Sequence, residues 1–105
     1  MNIDEFSMDF FSLKGKTALV TGGNSGLGLA FSTALAKAGA NLFIPSAVMD
    51  EGEARQLIEK QGNVVELMEI DITKAGAPEK VIKACVKKFE TLDILINNAG
   101  IDRKS

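Results

Sequence analysis

Residues 21–28 read TGGNSGLG, with Gly22, Gly26 and Gly28 at fixed offsets in a short polar stretch. Glycines do no covalent chemistry. They let backbone N–H groups approach a ligand that a Cβ would hold away. Where such a loop opens a helix, the unpaired N–H groups and the positive end of the helix dipole favour an anion. Gly22 is expected to turn the chain sharply, Gly26 to admit a pyrophosphate, and Gly28 to let the helix pack near the strand below it. A nucleoside-triphosphate loop ends in Gly-Lys-Ser/Thr. Here Leu27 follows Gly26 and Leu29 follows Gly28, so no lysine of this loop could reach a terminal phosphate.

Most other site chemistry is excluded by composition. The 105 residues contain no histidine, no tyrosine and one cysteine, Cys85. A Ser–His or Cys–His pair cannot form, nor can an internal disulfide or a Cys/His zinc site. No metal site is expected. Asp50 and Glu53 are read as a helix-start pair rather than an acid–base pair. Lys80, Lys83, Lys87 and Lys88 are read as a solvated face, with Glu79 and Glu90 beside them.

The elements that must position the glycine loop follow from period and punctuation. TALVT (17–21) is a short β-branched and apolar run, hence a buried strand. From Gly26 the period changes, and Leu27, Ala30, Phe31, Ala34, Leu35 and Ala38 mark one face of a helix that Gly39 ends. NLFI (41–44) is a second strand, expected to end at Pro45. Asp50 is expected to cap a second helix striped by Ala54, Leu57 and Ile58 and closed by Gly62. VVELMEI (64–70) is a third strand, and Pro78 suits the first turn of a third helix. That helix carries Val81, Ile82, Cys85 and Phe89 on one side, and LDILIN (92–97) is the fourth strand.

The order β-α-β-α-β-α-β with short connections predicts an α/β fold whose parallel sheet is covered by helices. It is the N-terminal part of a doubly wound, Rossmann-type arrangement. Residues 1–13, with Phe6, Phe10 and Phe11, are read as an arm on the body of the fold. Residues 14–105 are read as an incomplete dinucleotide-binding domain.

With TGGNSGLG, the D-I-T of residues 71–73 and the NNAG of residues 97–100 in order, each at a strand's end, the chain resembles the short-chain dehydrogenase/reductase family. It looks most like the branch holding gluconate 5-dehydrogenases and keto-deoxygluconate dehydrogenases. The resemblance implies an NAD(P)-dependent oxidoreductase that moves a hydride between nicotinamide and a secondary alcohol or ketone, a sugar acid being one substrate class. It implies that the backbone around Asn24, Ser25 and Leu27 meets the cofactor's ribose and pyrophosphate. It also implies that Asp71 accepts from the adenine amino group, with the Ile72 N–H on the ring nitrogen. Asn97, Asn98, Ala99 and Gly100 would line the adenosine ribose and brace the fourth strand. Read without the resemblance, Asp71 is a turn or capping carboxylate.

Ser46 stands where the family places its cofactor selector. An acid there would bind the ribose hydroxyls of NAD, and a nearby arginine would hold the 2′-phosphate of NADP. Neither Ser46, Ala47 nor Ser25 is basic, so NAD(H) is favoured over NADP(H). The family's catalytic tyrosine, lysine, serine and asparagine all fall after its NNAG segment, so no catalytic residue is expected in this chain. The alternative is an inactive product that only binds dinucleotide. The resemblance further implies a homo-tetramer or dimer for the full-length protein, and its order of strands, 3-2-1-4, leaves the fourth as an apolar edge that would make this chain marginal alone.

The net charge of -2 and a pI near 5.1 give no footprint for nucleic acid. No long apolar run is present to span a membrane, and the acidic N-terminus is unlike a secretory signal. Together with the single cysteine, these features point to a reducing cytoplasm.

Overall fold

The computed structural model describes residues 12–98. Strands β1 (Thr17–Val20), β2 (Asn41–Ser46), β3 (Val65–Glu69) and β4 (Ile94–Ile96) alternate with helices α1 (Gly26–Lys37), α2 (Glu53–Glu59) and α3 (Ala77–Phe89). The four strands form one parallel sheet in the order β3-β2-β1-β4. The chain steps outward from β1 to β3, then returns past β1 to place β4. Strand order therefore reverses between β1 and β4, which is where open α/β sheets leave a ligand crevice at their carboxyl ends.

Side-chain alternation along the strands divides the core into two layers. Ala18, Val20, Leu42, Ile44 and Val65 pack with Ala36 of α1 and Ile58 of α2. Leu19 and Phe43 face the other way and pack with Val81 and Cys85 of α3. Burial pushes the Cys85 thiol's pKa up and keeps it protonated. The α1 helix ends in a Schellman arrangement, with Ala40 N–H on the Leu35 carbonyl at 3.0 Å and Gly39 N–H on that of Ala36 at 2.9 Å. Gly39 has φ +112°. Leu13, at the inner end of the expected arm, donates its N–H to Ala38 and packs on the first core layer. Residues 1–11 of that arm lie outside the described residues.

Several expected boundaries and faces need correction. Pro45 does not end β2 but sits inside it, opposite Met68. The last register pair with β1 is Leu19 with Phe43, so the N–H that proline lacks falls beside the glycine turn and removes no ladder bond. The third and fourth strands are shorter than the apolar runs suggested, although Val64, Ile70 and Asp93 just outside them still share backbone bonds with the neighbouring strands.

The buried line of α1 is Gly28, Ser32 and Ala36, while Leu27 is exposed. A helix packed tightly on a turn and a sheet puts its smallest residues inward. Leu57 and Ile82 are also exposed, although Ala54, Ile58, Val81 and Cys85 are buried as expected.

The N-cap of α2 is Gly52 and not Asp50, which lies two residues before it yet still reaches the first turn. Asp50 Oδ2 accepts from Ala54 N–H at 2.9 Å, while Glu53 Oε1 accepts from Glu51 N–H at 2.9 Å. Gly52, with φ +110°, makes the extra turn.

Candidate functional site

The β1 strand runs straight into the glycine turn, and the turn is fixed by the sheet. Thr21 N–H bonds Ile96 of β4 at 3.0 Å, Gly22 N–H bonds Pro45 of β2 at 2.8 Å, and Gly23 N–H bonds Val20 at 3.2 Å. The next residues open α1. Its N-cap Ser25 makes no side-chain cap bond, and the first turn carries no acidic residue. The backbone N–H groups of Gly26, Leu27 and Gly28 have no protein acceptor among the described residues. A helix start left this way is an uncompensated patch of positive potential and donor groups.

The glycines divide the work differently from expectation. Gly22 and Gly26 have φ +62° and +54°, the left-handed region that side chains resist. A Cβ on Gly26 would meet nothing within 4 Å, so that position borders open space. Gly28 is the opposite. A Cβ there would run into the carbonyl of Gly22 and lie 2.6 Å from Asn98 Nδ2. Its close neighbours are thus the turn and the end of β4, not the strand below. Gly23 is crowded as well: a Cβ there would lie 2.6 Å from Ser32 Oγ. Ser32 is buried and donates to the Gly23 carbonyl at 2.9 Å.

A cleft of about 290 Å³ lies at the carboxyl ends of the strands. Its walls are the glycine turn (Thr21, Gly22, Ser25), the end of β2 (Pro45 to Val48), the end of β3 (Ile70 to Thr73) and Asn98. It therefore brings together Gly22, Ser25, Ser46, Asp71, Ile72 and Asn98 from the sequence-derived set. Asn24, Gly26, Leu27 and Gly28 adjoin it in the turn and first helical residues. Asn97 is placed elsewhere. It lines an apolar groove between α3 and β4, and its Oδ1 accepts from Thr21 Oγ1 at 3.2 Å. Ala99 and Gly100 lie outside the described residues.

The polar groups around the cleft are few and mostly committed. Asp71 Oδ1 accepts from Thr73 Oγ1 at 2.6 Å and from Thr73 N–H at 3.0 Å, and these bonds hold the Asp71 carboxyl below the usual carboxylate range. The turn reading of Asp71 is thus realised in the fold. Oδ2 takes no bond among the described residues, which leaves one oxygen for a donor. Asn98 is 2% exposed, and its Nδ2 donates to the Gly22 carbonyl at 3.4 Å. Its Oδ1 is buried without a partner among the described residues. A buried amide oxygen in that state is an acceptor in want of a donor.

Asn24 is buried too, and its Nδ2 reaches the Val48 carbonyl at 2.8 Å. Thr73, part of the D-I-T stretch, and Val48 were given no site role from sequence. Thr73 had a signal, its place two residues after an aspartate. Val48 had none.

These features suit a dinucleotide. Open N–H groups beside a Cβ-free position can take a pyrophosphate. Ala47, Val48, Ile70 and Ile72 give an apolar slot for a flat ring, with Asp71 Oδ2 and Asn98 Oδ1 as nearby acceptors. Among the described residues, no lysine or arginine lines the cleft. Among the described residues there is no cluster able to hold a metal ion and no helix long and apolar enough to cross a membrane.

Comparison with known proteins agrees with this geometry. The family model for short chain dehydrogenase matches residues 16–105. The uncharacterized oxidoreductase YgcW of Escherichia coli K12 is 66% identical over 100 residues, which is 95% of this chain and 38% of that protein. The 2-dehydro-3-deoxy-D-gluconate 5-dehydrogenase of Bacillus subtilis 168 is 43% identical over 95 residues, covering 89% of this chain and 36% of that protein. Among solved structures, NADH-dependent reductase A1-R′ complexed with NAD superposes with a TM-score of 0.74 at 33% identity, covering 81% of this chain and 36% of that one. The chain thus spans little more than a third of the length of the curated relatives it matches.

Proposed function

The chain belongs to the short-chain dehydrogenase family, and from that premise we propose that residues 14–105 are the cofactor-binding part of an NAD(P)-dependent oxidoreductase. The observation that carries this reading is the open start of α1. Its free N–H groups meet the left-handed, unobstructed Gly26 at the rim of a cleft lying on the strand-order reversal. In this reading the N–H groups of Gly26, Leu27 and Gly28 hold the pyrophosphate, and Ser25 and Gly22 form the floor beneath it. Val48 and Ile72 would flank the adenine, with Asp71 Oδ2 available to its amino group and the Ile72 N–H to a ring nitrogen. Asn98 braces the turn through Gly22 and offers Oδ1 to a ligand donor. When bound, the dinucleotide supplies or accepts the hydride.

We favour NAD(H) over NADP(H). A 2′-phosphate would need cationic or multiple neutral donors, and the cleft wall at Ser46–Val48 has no cation. The substrate would be a secondary alcohol or ketone, with a sugar acid supported by the 43% identity to a dehydrogenase of that class. The full-length protein would act as a dimer or tetramer in the cytoplasm. A second reading is dinucleotide binding without turnover: the cleft is assembled within these 105 residues, which supply no tyrosine of their own as an acid–base group.

The two readings separate in one experiment. The natural protein is purified from its source, weighed intact, and incubated with NAD⁺ or NADH and a panel of sugar acids, alcohols and ketones. A mass more than twice 11.2 kDa with nicotinamide turnover supports the oxidoreductase. A mass near 11.2 kDa with binding but no turnover supports the second reading.

A further inference from the structure

Ser32 is fully buried on the inner line of α1, yet its hydroxyl bonds outside the helix, to the glycine turn. Side chains of a helix lean toward its start, which brings Ser32 Oγ back to the Gly23 carbonyl at 2.9 Å. Among the described residues, no other protein donor reaches that carbonyl. The turn makes room for this bond. Gly23 has no positive φ, unlike Gly22 and Gly26, so a left-handed backbone does not require glycine there. Space does: a Cβ would lie 2.6 Å from Ser32 Oγ and 2.9 Å from the Val20 carbonyl oxygen. Thr33, the next residue, gives the contrast. Its hydroxyl donates to the Leu29 carbonyl at 2.8 Å and stays within the helix.

We propose that Ser32 is a positioning residue for the phosphate cradle: it locks the Gly23–Asn24 peptide with its carbonyl toward α1 and the Asn24 N–H toward the ligand. The inference rests on the dinucleotide reading above. A trans peptide is planar, with its C=O and N–H on opposite sides. Holding the Gly23 oxygen on Ser32 therefore turns the Asn24 N–H away from the helix body, past its start. That N–H has no protein acceptor among the described residues, so it adds a donor to those of Gly26, Leu27 and Gly28. Without the Ser32 hydroxyl, the buried carbonyl loses its donor, and the flexible glycine backbone lets the peptide rotate. Rotation sets a carbonyl oxygen where the N–H stood, and an oxygen there repels a phosphate. The loss is confined to the Asn24 donor, because the N–H groups of the helix start do not depend on this peptide.

The test is titration of the full chain with NADH, by calorimetry for affinity and by amide NMR for the turn, in the wild type, Ser32→Ala and Thr33→Ala, with thermal melts alongside. Ser32→Ala is expected to weaken NADH by about three- to tenfold, the effect of one hydrogen bond. In the wild type at saturating NADH the Asn24 amide proton is expected to move downfield. In saturated Ser32→Ala that shift is lost while those of Leu27 and Gly28 remain. Thr33→Ala, which removes a hydroxyl of the same helix without freeing the turn, is expected to match the wild type in both readouts. A merely structural prop would lower affinity and leave the Asn24 shift intact at saturation. That result, an unchanged NADH affinity in a folded Ser32→Ala protein, or an equal loss in Thr33→Ala overturns the inference. If Ser32→Ala does not fold, the wild type decides: a downfield Asn24 shift with NADH supports the inference, and an unmoved Asn24 amide overturns it. A wild type that does not bind NADH removes the cofactor reading itself.

Discussion

The carboxyl rim of β1, β2 and β3 and the flank formed by α3 and β4 are built on opposite terms. At the rim, polar side chains are buried and committed: Asn24, Ser32 and Asn98 are each at most 4% exposed, and each reaches a backbone carbonyl. Along the flank, apolar side chains are open. Ile82, Val86 and Leu95 are 44%, 43% and 59% exposed, beside a groove lined mostly by Leu19, Ile72, Pro78 and Val81. Buried side chains tied to backbone carbonyls hold the shape of the rim, and Asn98 Oδ1 is left there as an acceptor without a partner among the described residues. An apolar flank is a surface whose burial would stabilise the fold and whose exposure invites association. The difference teaches that the rim is specified by its own polar bonds, while the flank is apolar surface that those bonds do not organise.

Four substitutions break or sharpen that contrast. Phe43→Ala, in the layer between the sheet and α3, is expected to cost about 4 kcal/mol in denaturant unfolding. Leu95→Ala on the flank is expected to cost less than about 0.5 kcal/mol, and a loss comparable to that of Phe43→Ala would show the flank to be packed and not open. Next in size is Gly28→Ala at the rim, which drives a Cβ into the Gly22 carbonyl and the Asn98 amide and should cost about 2–3 kcal/mol. A Gly28→Ala protein as stable as the wild type would mean the rim is loose.

The smallest effect is electrostatic. Thr73 hydrogen bonds depress the pKa of Asp71, so this group contributes stability above its unfolded pKa and loses it as pH falls through the lower folded value. Thr73→Val removes the hydroxyl but keeps the backbone N–H. Asp71 should therefore titrate closer to an ordinary carboxylate by NMR, with less acid-side loss of stability; an unmoved titration would show the Thr73 bond to be absent in solution.

The order of elements was legible because period and punctuation are local. β1 reads as an apolar run, α1 changes the period, and Gly39 and Gly62 stop helices with the left-handed angles they alone adopt cheaply. Pro45 was misread because a missing N–H matters only where a neighbouring strand would have accepted it. Leu57 and Ile82 were misread for another reason: a stripe shows which residues share a face but not how much of that face is covered.

In the site, Gly22, Ser46, Asp71, Ile72 and Asn98 could be listed together from motif order, and the fold does assemble them around one cleft. Asn97, adjacent in sequence to Asn98, points to a different groove, as neighbouring residues at a strand's end do. The bond from Asn24 to Val48 was not legible at all. It depends on two loops 24 residues apart meeting in space.

The central claim is that the start of α1 is a phosphate cradle with an open face at Gly26. The direct measurement is calorimetric titration of the full chain with NADH, comparing wild type with Gly26→Val and following both by thermal melt. Because the added side chain meets no protein atom within 4 Å at its Cβ and the cost is mainly its left-handed backbone, about 1–2 kcal/mol, Gly26→Val should stay folded. The account predicts saturable binding of one NADH per chain in the wild type and no detectable binding in the folded variant. Equal affinity in the two would contradict it.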